Sequence, residues 1–260
     1  MNTVIRSPYF VFAVSVVAMW LAGRFGALLR KKRGTLEDDL RHDLDLVVTA
    51  TLTLLALIIG FSFSMAIGRY DQRKNYEEAE ANAIGTEYVR ANLLPAADAM
   101  KVRALLKDYL DQRVLFYLTR DGEKIRKINA KTAQLQTELW AAVQSPAATQ
   151  PTPVMALVLS GMNDVLNSQG YTQAAWWNRI PLAAWGLMVI IAMCCNLMVG
   201  YTRHHIDAGG VQFWVLPLVI SIAFFLIGDI DSPRRGLVRV RPQNLVSLVQ
   251  SLPSTGLTPD

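Results

Sequence analysis

Residues 46–71 read LVVTATLTLLALIIGFSFSMAIGRYD, with no charged side chain from Leu46 to Gly68 and then Arg69 and Asp71. A hydrocarbon core about 30 Å thick takes roughly 20 apolar residues as a helix. In lipid the helix also satisfies every backbone amide within the segment. The stretch therefore predicts a membrane span over Leu46–Ile67. It holds no proline, and neither does the polar sequence after it until Pro95, so the helix is expected to leave the membrane unbroken through Ala91.

Three other stretches are mostly apolar over a similar length: Pro8 to Leu29, Ile180 to Val199 and Val211 to Ile230. Composition agrees, with 52% of residues hydrophobic and only 18% charged. Few soluble domains have that balance. The expected class is an all-α membrane protein with four transmembrane helices in two pairs and a helical extramembrane domain between them. Residues 1–70 hold the first pair (about 8–29 and 46–67), 71–178 the helical domain, 179–231 the second pair (about 180–200 and 211–230), and 232–260 a C-terminal tail. Ala22-Gly23 offers a small-residue cleavage site in the first stretch, but the apolar run continues to Leu29 and is closed by Arg30-Lys31-Lys32-Arg33, which reads as an anchor with a charged stop.

Inside the central domain, Leu105, Leu106, Tyr109, Leu110, Val114 and Leu118 recur at helical spacing, predicting a helix over 97–119. Asp121-Gly122 marks a turn, Lys124 to Val143 a more polar helix, and Val154 to Trp177 a last one. Ser145 to Pro153 reads as a linker by composition. Only Leu237 to Arg241, in the tail, alternates like a strand.

The net charge of +5 raises nucleic acid as a partner, but the Lys and Arg residues gather at the ends of apolar stretches, as in Arg30 to Arg33, Arg69 to Lys74 and Arg234 to Arg241. There they serve as topology anchors and contacts to membrane lipid. No basic patch interleaved with aromatics occurs in the domain, so nucleic acid is set aside. The Lys and Arg tally leans to the amino terminus and the helical domain lying in the cytoplasm, whereas the run Arg30 to Arg33 argues for the opposite orientation.

Chemistry has little to work with. GxSxG, a phosphate-binding Gly-rich loop, HExxH and CxxC are all missing, so no catalytic residue and no cofactor is assigned. Cys194 and Cys195 are neighbours in a helix, point about 100° apart and cannot pair with each other. His204-His205 lies in the short loop between the last two stretches with only Asp207 nearby, a polar turn rather than a metal site.

The second span carries two stripes. Ala56, Gly60, Ser64 and Gly68 recur every four residues and would let another helix approach closely in lipid. Beside them run Thr53, Leu57, Phe61 and Met65. A ring of such side chains makes a hydrophobic constriction that gates by dewetting, although the same face would equally suit lipid or another helix. Just beyond, Arg73 and Glu77 suit an i,i+4 pair on a solvated face, and Glu77, Glu78, Glu80 and Glu87 suggest, as the sharper alternative, an acidic ring at a pore mouth. Where the fourth span ends, Asp229 and Asp231 are expected to pair with arginines such as Arg69 or Arg234. Together with Asp71 and Arg73 they form a charge network at the membrane edge. A hard cation held by the two carboxylates is the alternative.

Residues Ile58 to Asp71, Glu78 to Thr86, Met162 to Leu166 and the exit Asp229-Ile230-Asp231-Ser232-Pro233-Arg234-Arg235-Gly236 resemble the bacterial bestrophin-like family, known first as a domain of unknown function. The resemblance covers nearly the whole chain, including the order of two spans, helical domain and two spans. A more distant similarity to bestrophin channels rests on Gly60-Phe61 through Arg69. It implies a homo-oligomeric ion channel acting on inorganic ions in the bacterial inner membrane, with the second span lining the pore and its neck at Thr53, Leu57 and Phe61. Thr53 is polar where those channels carry a bulky residue. Their calcium clasp is an acidic run after the last span, and this chain has Ser-Pro-Arg-Arg-Gly there. A non-conducting membrane scaffold or sensor, its helical domain binding a partner, is the competing reading, and an enzyme ranks behind both.

Overall fold

A computed structural model of the chain describes residues 8–33, 38–202, 210, 212–234 and 236–253. Among them there is no strand. Eight α-helices follow one another: α1 (Pro8–Arg33), α2 (Asp38–Arg90), α3 (Ala96–Leu118), α4 (Gly122–Thr149), α5 (Pro153–Trp177), α6 (Leu182–Thr202), α7 (Gln212–Asp231) and α8 (Gln243–Ser251). By length and composition four helical stretches each contain a window apolar enough to cross a membrane: Pro8–Lys32, Asp39–Leu93, Pro153–Thr202 and Phe213–Asp231. The loops holding Glu37 and His204-His205-Asp207, together with Arg235, lie outside the described residues. The chain divides into two compact units, one of Met1–Tyr70 with Arg179–Arg239, the other of Asp71–Asn178 with Val240–Asp260.

In the first unit, Met19 of α1, Leu55 and Ala66 of α2, Met188, Ala192 and Cys195 of α6, and Ile220, Phe224 and Ile227 of α7 form one apolar core. The α1–α6 crossing is close because glycines meet there. A Cβ on Gly26 would run into the carbonyl oxygen of Leu197 and come within 3.0 Å of the Tyr201 amide nitrogen, and one on Gly200 would run into the carbonyl oxygen of Gly23. Backbone-to-backbone approach of this kind is what small residues supply in lipid. At the end of the same pair, Arg30 Nη1 donates to the Tyr201 carbonyl oxygen at 3.4 Å, placing a cation at the C-terminal, negative end of α6. Arg30 is thus more than an anchor in the lipid headgroups. Against α7, Trp20 of α1 stacks on Trp214, ring centroids 5.6 Å apart, and Arg24 lies over the Trp20 ring.

The second unit is a helical bundle with a conventional core of Ile84, Val102, Leu106, Leu110, Leu135, Leu139, Val143, Val158, Met162 and Val165, all buried. Its helix starts are written locally. Asp121 caps α4 by accepting from the Glu123 and Lys124 amides at 2.7 and 3.2 Å, and Thr152 caps α5 through the Met155 amide at 3.2 Å, with Pro153 in the first turn.

Two expectations need correction. The linker expected from Ser145 to Pro153 shrinks to Gln150–Thr152, because α4 runs through Pro146 to Thr149. Pro146 is buried, Ala147 and Ala148 after it are strong helix formers, and the last turn closes through the Gln150 amide and the Thr149 hydroxyl on the Pro146 carbonyl. Likewise, Leu237 to Arg241 forms no strand and leads irregularly to α8, a helix inside what the sequence offers only as tail.

Candidate functional site

The second span places its two stripes on the outside of its own unit. The buried residues of the second span are Val48, Leu55, Ser62 and Ala66, with Leu52, Ile58 and Ile59 partly covered. Thr53, Leu57, Phe61 and Met65 are exposed, Phe61 to 63%. Ala56, Gly60, Ser64 and Gly68 are exposed as well, and a Cβ on Gly60 or Gly68 would meet nothing within 4 Å. Only 17% of the most apolar window in this span is buried, against 33% for the first and fourth spans. Ala56 and Gly60 also line one wall of an apolar groove of about 440 Å³, whose other wall is Leu216, Val219, Ile220 and Ala223 of α7.

Of the edge charges in the first unit, Arg69 Nη1 bonds Asp231 Oδ1 at 3.4 Å. Asp231 also accepts from the Ile180 amide, 3.2 Å from each oxygen, and so ties the start of the third apolar stretch to the end of the fourth. Asp229 does something the sequence did not suggest. Its two oxygens accept the amides of Leu237 (2.7 Å) and Val238 (2.9 Å), and the turn that brings them back depends on Gly236, where a side chain would strike the Asp229 carbonyl. Both carboxylates therefore spend their lone pairs on amides and a guanidinium, a donor set that leaves little for a calcium ion, which needs six to eight oxygens. Among the described residues no three His, Cys, Asp or Glu side chains converge to hold a metal. Arg234 is half-buried at the same exit.

In the second unit Asp71 is exposed, while Arg73 is buried and donates to the carbonyls of Ala175 and Asn178, both at 3.1 Å, which places its charge at the C-terminus of α5. The acidic residues that follow do not line a solvated face. Glu77, Glu80 and Glu87 are all buried, and of the four only Glu78 stays exposed. Glu77 accepts from the Leu245 amide at 2.9 Å and Asn244 Nδ2 at 2.7 Å, so a carboxylate from α2 sits at the positive N-terminal end of α8. Glu80 forms a fully buried ion pair with Arg113 and accepts hydroxyl bonds from Tyr117 and Thr172, each at 3.3 Å. Burial first, and the Glu80 carboxylate second, push Tyr109 and Tyr117 above the ordinary tyrosine range, so both stay protonated and Tyr117 remains a donor. Glu77 and Glu80 are framework, not parts of a mouth ring. An acidic run on a helix gives no sign of this, because each partner lies tens of residues away in the sequence.

Set beside known proteins, the chain matches the family model described as Bestrophin-like domain over residues 9–245. Its fold is similar to that of a bacterial bestrophin homolog from Klebsiella pneumoniae. One crystal structure of that homolog, a single-site variant, aligns at a TM-score of 0.61 and 12% identity over 96% of this chain and 100% of that one. Another aligns at 0.56 and 13% identity over 94% and 99%. No curated protein matches.

Proposed function

We propose that this chain, which belongs to the bestrophin-like family, is an ion channel of the bacterial inner membrane, formed by several copies with the second span of each lining a central pore. One observation supports this above the rest: Thr53, Leu57, Phe61 and Met65 lie along one face of α2 and are all left uncovered by their own unit. A span whose bulky face has no partner within the chain must face lipid, another copy or water. Copies arranged in a ring would turn that face inward. The Phe61 rings would then form the tightest dry constriction, with Leu57 behind it and the Thr53 hydroxyls at the wetter end.

Phe61→Ala separates the alternatives, measured as ion flux from liposomes beside thermal stability in detergent. Because Phe61 is exposed in the single chain, its removal opens no cavity there. The pore reading expects a folded protein of unchanged oligomeric size whose flux rises several-fold. A substitution silent in both assays would put the ring against lipid. Loss of about 3 kcal/mol or more of stability with no flux would put it against protein and leave the non-conducting scaffold standing.

A further inference from the structure

Of the three buried glutamates of the helical unit, the framework above leaves one unused. Glu87 of α2 is completely buried, and among the described residues neither of its carboxylate oxygens has a hydrogen-bond partner. It lies over Gly161 of α5, where a side chain would collide with Glu87 Oε2 and come within 2.5 Å of Arg90 Nη1. The missing Cβ is therefore the space the carboxyl occupies. Two charges act on it: Arg90, one turn further along α2, and Asp164, one turn further along α5, with opposite effect. Of the other elements nearby, α3 turns Arg103 to the Tyr88 carbonyl at 3.4 Å, and neither α8 nor the turn Ala91–Leu93 carries a charge.

A carboxylate that meets no hydrogen-bond donor among the described residues, and feels a second carboxylate nearby, is an expensive thing to bury. Its protonated form costs far less, since it presents one neutral hydroxyl and one carbonyl oxygen. Glu77 and Glu80 in the same unit show the contrast, because each is met by amide, hydroxyl or guanidinium donors. We propose that Glu87 is a proton-binding site that controls the α2–α5 contact at Gly161: protonated, it closes the contact, and ionised, it loosens it.

Burial, the largest effect, raises the Glu87 pKa to about 8 despite Arg90, with Asp164 raising it further. The sign follows. An unfolded chain releases this proton near 4.5, and the folded unit keeps it to about 8. The folded state therefore binds the extra proton between those values, and its stability falls as pH rises through that window and levels off above it.

The test uses the full chain in detergent, following the thermal midpoint from pH 5 to pH 9 for the parent, Glu87→Gln, Asp164→Asn and Arg90→Gln. The parent should lose about 5 °C or more across the window. Glu87→Gln, a fixed neutral mimic, should hold at pH 9 most of what the parent has at pH 5. Asp164→Asn should end the fall at lower pH and Arg90→Gln should extend it to higher pH, since one removes a neighbour that raises the pKa and the other a neighbour that lowers it. An unaltered pH profile in Glu87→Gln overturns the proposal, as does Glu87→Gln failing to fold at pH 6, because the neutral form is the one held to pack. Asp164→Asn and Arg90→Gln moving the window in the same direction would overturn it too.

Discussion

Two glycine sets in the membrane unit have been put to opposite use. Gly26 and Gly200 are consumed at the α1–α6 crossing, where backbone meets backbone with no room for a methyl group, and the Gly23 carbonyl is what Gly200 meets. Gly60 and Gly68, spaced as regularly as any packing motif, touch nothing beyond their own helix. Spacing alone thus says that a helix can be approached closely, not by what. The first set closes the unit on itself. The second leaves a face whose partner, if it has one, must come from another molecule.

The sharpest way to break this contrast is Gly26→Ala. The new methyl group would strike the Leu197 carbonyl and crowd the Tyr201 amide, and backbone on both sides gives way less readily than a rotamer. The expected loss is about 3 kcal/mol, at the upper end of overpacking costs, read as thermal or denaturant unfolding in detergent. A midpoint equal to the parent's would mean that α1 and α6 are not in close contact.

A middle-sized effect is expected at the exit of α7, where Gly236 is also used for close approach. Asp229→Ala would leave the Leu237 and Val238 amides without their acceptor, a loss of about 1 to 3 kcal/mol. Calcium distinguishes this role from ion binding. Since both oxygens already accept amides, adding calcium or removing it with a chelator should leave the parent's melting curve where it was. A calcium-dependent rise that Asp229→Ala abolishes would return the pair Asp229 and Asp231 to the role of cation ligands.

The four apolar helices and the all-α class are legible in the sequence because lipid imposes a length and a polarity that few other environments do. The continuity of α2 through Arg90 is legible too, from the want of proline. What is illegible has one physical cause. Glu77, Glu80 and Glu87 look like a solvated acidic face, and their burial depends on Leu245, Arg113 and Gly161, all distant in sequence. The helix α8 is hidden for the same reason: it is short, and its N-terminus is completed by Glu77 of another helix. The glycines that matter at the α1–α6 crossing are spaced by three on α1 and answered by a single glycine on α6, a weaker pattern than the four-residue repeat on the second span. Even the arginines at the ends of apolar stretches, which read as membrane anchors, turn out at Arg30 and Arg73 to serve helix C-termini. No single-helix pattern contains that information.

The smallest expected effect is the one that reports on the open face. At Gly60 an added Cβ has free space on all sides within one chain, so Gly60→Ala should not harm the unit. It should gain up to about 1 kcal/mol, since alanine is the better helix former. That gain survives only if the face meets lipid or water. If a helix from another copy lies along Ala56, Gly60, Ser64 and Gly68, a methyl group would begin to separate the backbones and Gly60→Leu would separate them outright. The pair of substitutions therefore reads the face in two steps. An interface predicts that Gly60→Ala is neutral or slightly unfavourable and that Gly60→Leu lowers oligomeric size in mild detergent while the single chain stays folded. A lipid-facing stripe predicts that both variants keep the parent's oligomeric size and that Gly60→Ala melts slightly higher. In that second case the contrast with Gly26 would remain, but the small residues of the second span would carry no assembly.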